Sequence, residues 1–550
     1  LILSSGKNTA VKSNEYEWIN ILKKELGYFS VEKLNDNFSF KNIDAPLLFL
    51  SSEALNEISL KPLLIKELEF LAEEKGATLF LEFPDNSYEF ITGVVSGAES
   101  YLNIDEILIH SQNEEKIFFP SLEVMLPYRS VITTSDDSNI NLSLGRRCLM
   151  FFRRLGKGNI ISIFFPLSKW RRLISSGIDN DDDMLARMLK SISKLKHFQS
   201  CDLSLLKERR YEDMPFLDVL ERFIIDKAVE ISSIPRWWYY PYCTRSAVIL
   251  TFDEDYSGDE IKTLLMKDFP EDLKFTIFFM SSTKASKETF AEILKNNGEI
   301  GVHWNRFRFH ITAAGFHYEK NKSLLLQKEI LESMSTNNFS NSSRIHYLLC
   351  DYDPFYTFHL LNCANIRVDS TWGPGRDMGG YIFGTGFPYH SPEKNGQISN
   401  LYEFPFIVHE PQGNLSLDEI RNLLSSSLNK YHSPAVILFH PHFCIGNDNS
   451  SKKFKSIIKY LHEKDGFWKT SISEFIDFYE KRAESELSFR RIGERIEIEC
   501  NVEYDGLTLM LPSKGEITKI EVDGNPYSSV NISGREMISL KKGKHLIKVE

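Results

Sequence analysis

Apolar and polar positions alternate along this chain in changing rhythms, and the changes divide it into four stretches. In residues 1–195 short apolar runs alternate with amphipathic ones. Leu1–Leu3 reads as a strand, and Trp18, Ile19, Leu22 and Leu26 fall on one face of a helix over Tyr16–Leu26. Pro46–Leu50 and Ala77–Phe83 read as buried strands flanking an amphipathic helix, Leu63–Ala72, that Gly76 stops. A further apolar run, Asn159–Phe165, follows Gly156-Lys157-Gly158. This alternation predicts a parallel α/β sheet with right-handed crossovers.

Residues 196–244 read as a connector, with a charged helical stretch at Val219–Val229 and then Trp237-Trp238-Tyr239-Tyr240-Pro241-Tyr242. Exposed, such a run would be a platform for sugar faces; buried, it would be a plug between neighbouring units, which is the preferred reading. Over 245–484 strand and helix patterns alternate too many times for an ordinary open sheet, from Ala247–Phe252 through Lys274–Phe279 and Glu299–His303 to Ala435–His440. The expectation is a (β/α) barrel or a distorted barrel. Residues 485–550 change to short strand-like runs punctuated by Gly506, Asp523-Gly524 and Lys542-Gly543, which predicts a small β-sandwich.

Composition narrows the function. With 65 Lys+Arg against 76 Asp+Glu, the net charge is 65 − 76 = −11, and there is no basic run. That argues against binding nucleic acid or anionic membranes. No apolar run approaches the ~18 residues of a membrane span. The 7 Cys are scattered without a CxxC pair, so neither a zinc ribbon nor a dense disulfide framework is expected. The chain begins at Leu1 rather than Met, so the expectation is a truncated N-terminus, with the cell envelope or secretion open as destinations.

Candidate chemistry gathers at the ends of the strands predicted in 245–484. Asp253-Glu254-Asp255 follow one strand, His303 another, Arg344 and His346 flank a third, and Asp369 and His440 close two more. In a barrel these ends converge on one face. Side chains alternate along an extended segment, so Asp253 and Asp255 face the same way and Glu254 the other.

These residues carry a resemblance. TFDED at 251–255 is similar to the first motif, TFDDG, of the polysaccharide deacetylases (NodB-homology, carbohydrate esterase family 4), and EIGVHWNRF at 299–307 to the second. SRIHYLL at 343–349 and RVDSTWG at 367–373 resemble a divergent branch of that family, and VILFHPH at 436–442 its Leu-x-His motif. More weakly, GATLFLEF and LGKGNIISIFFPLS resemble strands of class I glutamine amidotransferase-like domains. The turn that should hold their nucleophilic Cys is Glu82-Phe83-Pro84-Asp85, which implies a fold kept without its chemistry.

The deacetylase resemblance implies hydrolysis of N-acetyl, or O-acetyl, groups on an acetylated oligo- or polysaccharide. The implied cofactor is a divalent metal, Zn first, with Co, Ni or Mn as alternatives. A cation held by one carboxylate and two imidazoles acidifies its water and polarises the acetyl carbonyl. By resemblance Asp253 is the base, Arg344 orients it, His440 is the acid, and Leu438 and Trp372 contact substrate. Asp255 and His303 are implied ligands, with Glu254 the alternative to Asp255. Phe307 stands where a second His is usual. On a continuous helix His310 would sit about 10.5 Å along the axis from His303, too far to share a metal bonded at ~2.0–2.1 Å. His346 is therefore the preferred third ligand, and His310, on a loop, the alternative. Two competing readings are a catalytically degenerate glycan-binding protein and a hydrolase of non-sugar C–N bonds.

Overall fold

The computed structural model describes the chain except for residues 5–12, 36, 103–105, 110–114, 119–125, 134–139, 145–146, 177–196, 200–210, 313–314, 321–322, 336–338, 352–353, 377, 393–397, 411–412, 447 and 513–516. The first part of the expected connector thus lies outside the described residues.

The N-terminal sheet runs in the order Val31–Lys33, Ile2–Ser4, Leu47–Leu50, Thr78–Glu82 and Gly158–Ile163, all parallel. It then continues antiparallel through Arg147–Leu155 and Ile140–Leu144 to Glu106–Ile109 and Glu115–Phe118. The expectation of a parallel sheet therefore holds for half of it. Gly156-Lys157 is too short a link between Arg147–Leu155 and Gly158–Ile163 for anything but a hairpin. Residue alternation divides the core between two faces. Phe49 and Phe80 pack on Trp18 of the helix Ser13–Glu25, with ring centroids 5.8 and 5.4 Å away. Leu79 and Leu81 face Leu68 and Leu71 of the helix Pro62–Glu73. At the strand end Glu82 accepts hydrogen bonds from Trp18 Nε1 at 2.7 Å, the Ser52 amide at 3.0 Å and Ser168 Oγ at 2.7 Å. The next residue, Phe83, takes a left-handed φ of 57° at the turn where an amidotransferase would carry its Cys.

The second sheet holds the candidate residues. Its order is Tyr389–Pro392, Ile398–Glu403, Val368–Asp369, Ser342–Ile345, Gly298–Trp304, Phe275–Phe279, Ser246–Glu254, Ala435–Phe439 and Val408–His409, with Phe467–Thr470 also paired to Ser246–Glu254. Every pair is parallel except the edge strand Tyr389–Pro392. Of the two expected forms this is the distorted barrel: the sheet curls, but among the described residues its two edges are not strand-paired to each other. Instead, chain between Asp369 and Gly380 bonds the residues leading into Val408–His409, with the Phe406 amide on Trp372 O at 3.0 Å and the Gly380 amide on Ile407 O at 2.7 Å. Ser246–Glu254 is buried along its whole length, as befits a central parallel strand.

The C-terminal strands form two antiparallel sheets. One runs Glu486–Ile492, Arg495–Val502, Gly543–Val549, Ile520–Val522, Asn525–Pro526. The other runs Arg236–Trp237, Leu507–Met510, Arg535–Leu540, Val530–Ile532, and so takes its first strand from the connector. Ile498, Ile547, Leu509 and Ile538, two from each sheet, are fully buried in one cluster.

The rest of the connector is interior. Helix Phe216–Ser232 buries Asp218 and Glu221 against Lys24, at 2.8 and 2.5 Å, and Arg171 meets Glu221 at 2.6 Å. Trp237, Trp238, Tyr239 and Tyr240 are all buried. The run is thus a plug, as preferred, rather than a sugar platform. Arg482 locks it: its guanidinium donates to the carbonyls of Trp238 (2.7 Å), Trp237 (2.8 Å), Lys23 (2.6 Å) and Lys24 (2.9 Å).

Arg482→Ala leaves four carbonyls without their donor in a buried site. The expected cost is at least about 3 kcal/mol, since each unpaired buried group costs ~1–3. Calorimetry should show the first thermal transition moved down, with Arg482→Lys restoring part of the loss. An unmoved transition in Arg482→Ala would contradict the lock.

Candidate functional site

Parallel strands bring Asp253, Asp255, His303, His346, Leu438 and His440 to one end of the second sheet, around a cavity of about 530 Å³. Each sits at or just past a strand C-terminus, and the register fixes their spacing. His303 is level with Arg344, Ser343 with Asp369, and Asp369 with Glu403.

Alternation separates the three acids of 253–255. Glu254 turns away from the cavity and ties down its own loop, accepting from the Gly258 amide at 2.7 Å and Thr283 Oγ1 at 2.8 Å. Asp253 and Asp255 line the cavity. Asp255 Oδ1 lies 3.3 Å from His303 Nε2 and 3.6 Å from His346 Nε2, and its Oδ2 lies 3.9 Å from His440 Nε2. Asp253 instead accepts from Arg344 Nη1 at 3.1 Å through Oδ1, with Oδ2 4.0 Å from His303 Nε2.

Arg344 is fully buried. It donates to Thr251 Oγ1 at 2.8 Å, Ser370 O at 2.6 Å and Ser370 Oγ at 2.8 Å as well as to Asp253. Two buried carboxyls lie near it: Asp369 accepts from Ser343 Oγ, and Glu403 accepts from the Trp372 amide at 2.8 Å. Burial raises both above the usual carboxylate range, Glu403 the further, with Asp369 as its second cause.

Asp255, His303 and His346 each offer one donor atom, all within 4.8 Å of one another. A tetrahedral cation bonded at ~2.0–2.2 Å needs donors about 3.4 Å apart, so separations of 3.3 and 3.6 Å fit a shared cation. Three further features suit ligation. Asp255 Oδ1 is buried with no hydrogen-bond donor. His303 Nδ1 is 3.1 Å from the Arg344 carbonyl, which holds the N–H there and turns the Nε2 lone pair toward Asp255. His346 is pulled down to about 4 by burial and by His303, so it is a neutral imidazole at ordinary pH. Burial also pulls His303 down, but Asp253 and Asp255 together outweigh it and its pKa is raised. Burial raises Asp255, yet the facing histidines carry its pKa below the usual range. His440 is lowered, mainly by burial.

The alternative ligand His310 lies in a separate hairpin, on strand Phe307–Thr312 opposite His317. That is neither the helix nor the loop considered from spacing. Trp372 must be corrected as a substrate contact: it is 1% exposed, stacked on Phe358 at 5.5 Å and Phe383 at 5.2 Å, and belongs to the core. Leu438 does line the cavity. Three cavity residues with polar side chains were missed: Tyr347, Arg376 and His409. His409 ends a parallel strand just as His440 does, and that position was the available signal. Tyr347 follows His346 in a left-handed turn (φ 57°) that no apolar pattern announces.

No family model and no curated protein matches the chain. Solved structures do match part of it. The Puue allantoinase is 13% identical, with 45% of this chain and 95% of that one covered and a TM-score of 0.31. The peptidoglycan deacetylase PdaC from Bacillus subtilis is 15% identical, covering 44% and 93%, with a TM-score of 0.25. A family 4 carbohydrate esterase from Bacillus anthracis is 14% identical, covering 44% and 97%, with a TM-score of 0.25. At these scores the likeness assigns neither family nor activity.

The histidines predict how many protons a cation displaces. At about pH 6 His303, raised above 6.5, is charged in the metal-free protein, whereas His346, near 4, is not. Zinc binding there should release close to one proton, and below that pH affinity should fall about tenfold per unit. Titration calorimetry in buffers of different ionisation enthalpy measures the count. A release approaching two would show that His346 is not held neutral.

Proposed function

We propose that the chain is a metal-dependent hydrolase that removes acetyl groups, N-acetyl foremost, from a glycan. One observation carries this reading: a single cavity holds two carboxylates with separate partners, Asp255 among three imidazoles and Asp253 on a buried Arg344. Such a division suits one carboxylate to ligation and the other to proton transfer. The motif order at 251–255, 299–307, 343–349 and 436–442 supports the same reading.

Asp255, His303 and His346 would hold the cation, most simply Zn. Bound there, a divalent cation supplies a Lewis acid for the acetyl carbonyl and acidifies water. Asp253 takes the proton of the attacking water: Arg344 engages its Oδ1 and leaves Oδ2 toward the cluster. Water gives its proton to Asp253 and adds to the acetyl carbon, the C–N bond breaks, and His440 in its protonated form delivers its proton to the departing nitrogen, so amide and water become acetic acid and amine. Leu438 offers an apolar wall for the methyl group.

Tyr347, 47% exposed, and Tyr256, 70% exposed, take the place of Trp372 as the aromatic surface for a sugar ring. The reading as a degenerate glycan binder loses ground, because Trp372 and the Trp237–Tyr240 run are both buried. The division into 1–195, 196–244, 245–484 and 485–550, with a non-catalytic first unit, belongs to this proposal.

The test pairs metal content with acetate release from N-acetylglucosamine oligomers. Asp253→Asn should keep its metal and lose turnover by roughly 10²–10⁴-fold, the range for a general base. Asp255→Asn and His346→Ala should lose metal, with added zinc restoring part of the activity of His346→Ala. His440→Ala should keep metal and slow amides more than activated esters, because an amine needs the proton more. Metal lost from Asp253→Asn but kept by Asp255→Asn would reverse the roles. Turnover unchanged in all four variants would sink the reading.

A further inference from the structure

The cavity wall carries a cation that the hydrolytic reading does not use. Arg376 lines the same space as Asp253, Asp255 and the histidines, on an exposed position of the chain between Asp369 and Gly380. Its backbone is anchored: Arg376 O accepts from the Asn414 amide at 3.1 Å, and the Met378 amide closes a turn on Gly375 O at 3.1 Å. Among the described residues its guanidinium has no carboxylate partner. The other charges in the cavity are matched. Arg344 pairs with Asp253, and Asp255 faces His303, His346 and His440. Arg376 is therefore surplus positive charge at a site that binds substrate.

His409 stands beside it with an unpartnered ring nitrogen. It ends the strand Val408–His409 level with Leu438, stacks on His440 with ring centroids 5.6 Å apart, and lines the cavity. Its Nδ1 is buried and meets no hydrogen-bond partner among the described residues. In the tautomer that carries its proton there, the ring offers an N–H to a ligand oxygen. With the planar guanidinium fork, that N–H suits the two oxygens of a carboxylate.

We propose that Arg376 and His409 form a subsite for a carboxylate on the sugar that bears, or adjoins, the acetylated position, so that the preferred substrate is an acidic glycan. The proposal rests on the deacetylase reading of this cavity and adds its substrate class. A carboxylate can come from a lactyl ether or from an oxidised C6, and the substrates tested must separate them.

The experiment uses the full chain loaded with zinc and three oligosaccharides of equal length, built on N-acetylglucosamine, N-acetylmuramic acid or N-acetylglucosaminuronic acid. Acetate release and calorimetric binding are measured separately. At least one acidic substrate should exceed the neutral one in kcat/KM by roughly tenfold or more, as a charge-assisted hydrogen bond allows. Arg376→Gln and His409→Ala should each cut that acidic-to-neutral ratio, mostly through KM, and Arg376→Lys should recover part of it. Salt should weaken the preference. Acetate release with a ratio near one, unaltered by Arg376→Gln, overturns the subsite and leaves the deacetylase reading standing. Acidic oligosaccharides that bind through Arg376 but are never deacetylated overturn the reading and keep the subsite. Neither binding nor turnover overturns both.

Discussion

The site depends on a fully buried guanidinium. Arg344 brings a permanent charge into the sheet, and a charge there is tolerable only when paired and hydrogen-bonded. Its partners come from two strands and two segments outside strands: Thr251 and Asp253, then both oxygens of Ser370, with the rings of Phe278 and Phe406 at 4.9 and 5.2 Å. Arg344 thus ties Ser342–Ile345 to Ser246–Glu254 and to the residue after Val368–Asp369, while its carbonyl meets His303 Nδ1 on Gly298–Trp304 at 3.1 Å. These ties in turn set His303, His346 and Asp255 within reach of one another. Asp253 is the carboxylate that bonds the guanidinium directly, while burial raises the nearby carboxyls Asp369 and Glu403 above the usual range.

Much of this was legible because it is local. Alternation along 253–255 placed Asp253 and Asp255 on one face and Glu254 on the other, and a strand needs no tertiary information to alternate; the loop contacts of Glu254 are visible only in the structure. The strand-end positions of His303, His346 and His440 were equally readable. Trp372 was misread because its burial depends on Phe358 and Phe383, whose approach no local pattern encodes. The open edge of the second sheet was hidden for a related reason. A β/α repeat reports how many strands there are, while closure depends on whether the last edge meets the first. Here chain between Asp369 and Gly380 lies against the residues leading into one edge instead.

The connector shows the same limit in its charges. Asp218 and Glu221 are charged residues of a helix, yet both are fully buried. They are placed by Lys24 and Arg171, roughly 200 and 50 residues away in sequence, a separation at which side-chain pattern carries no signal. Asp218 also accepts from Thr385 Oγ1 at 2.6 Å and from the Gly386 amide at 3.0 Å. The helix thus links the N-terminal helix Ser13–Glu25 to the chain that precedes the edge strand Tyr389–Pro392. Removing one member would strand the others as buried, uncompensated charge.

The two cavity carboxylates illustrate why partners, rather than residue type, decide chemistry. Asp253 and Asp255 are identical side chains two residues apart on one face of one strand end. A hydrogen bond from a permanent cation engages one oxygen of Asp253 and leaves its second oxygen toward the cluster. Asp255 faces imidazoles, whose charge depends on pH and on what they bind. A neutral His346 gives it a lone pair to share a cation with, whereas a protonated His303 gives it a counter-ion. The metal-free pocket is therefore balanced by a proton on His303, and a cation entering at Asp255 takes over the role that this proton plays. Proton and cation compete for one place, while Asp253, tied to Arg344, stays outside that competition.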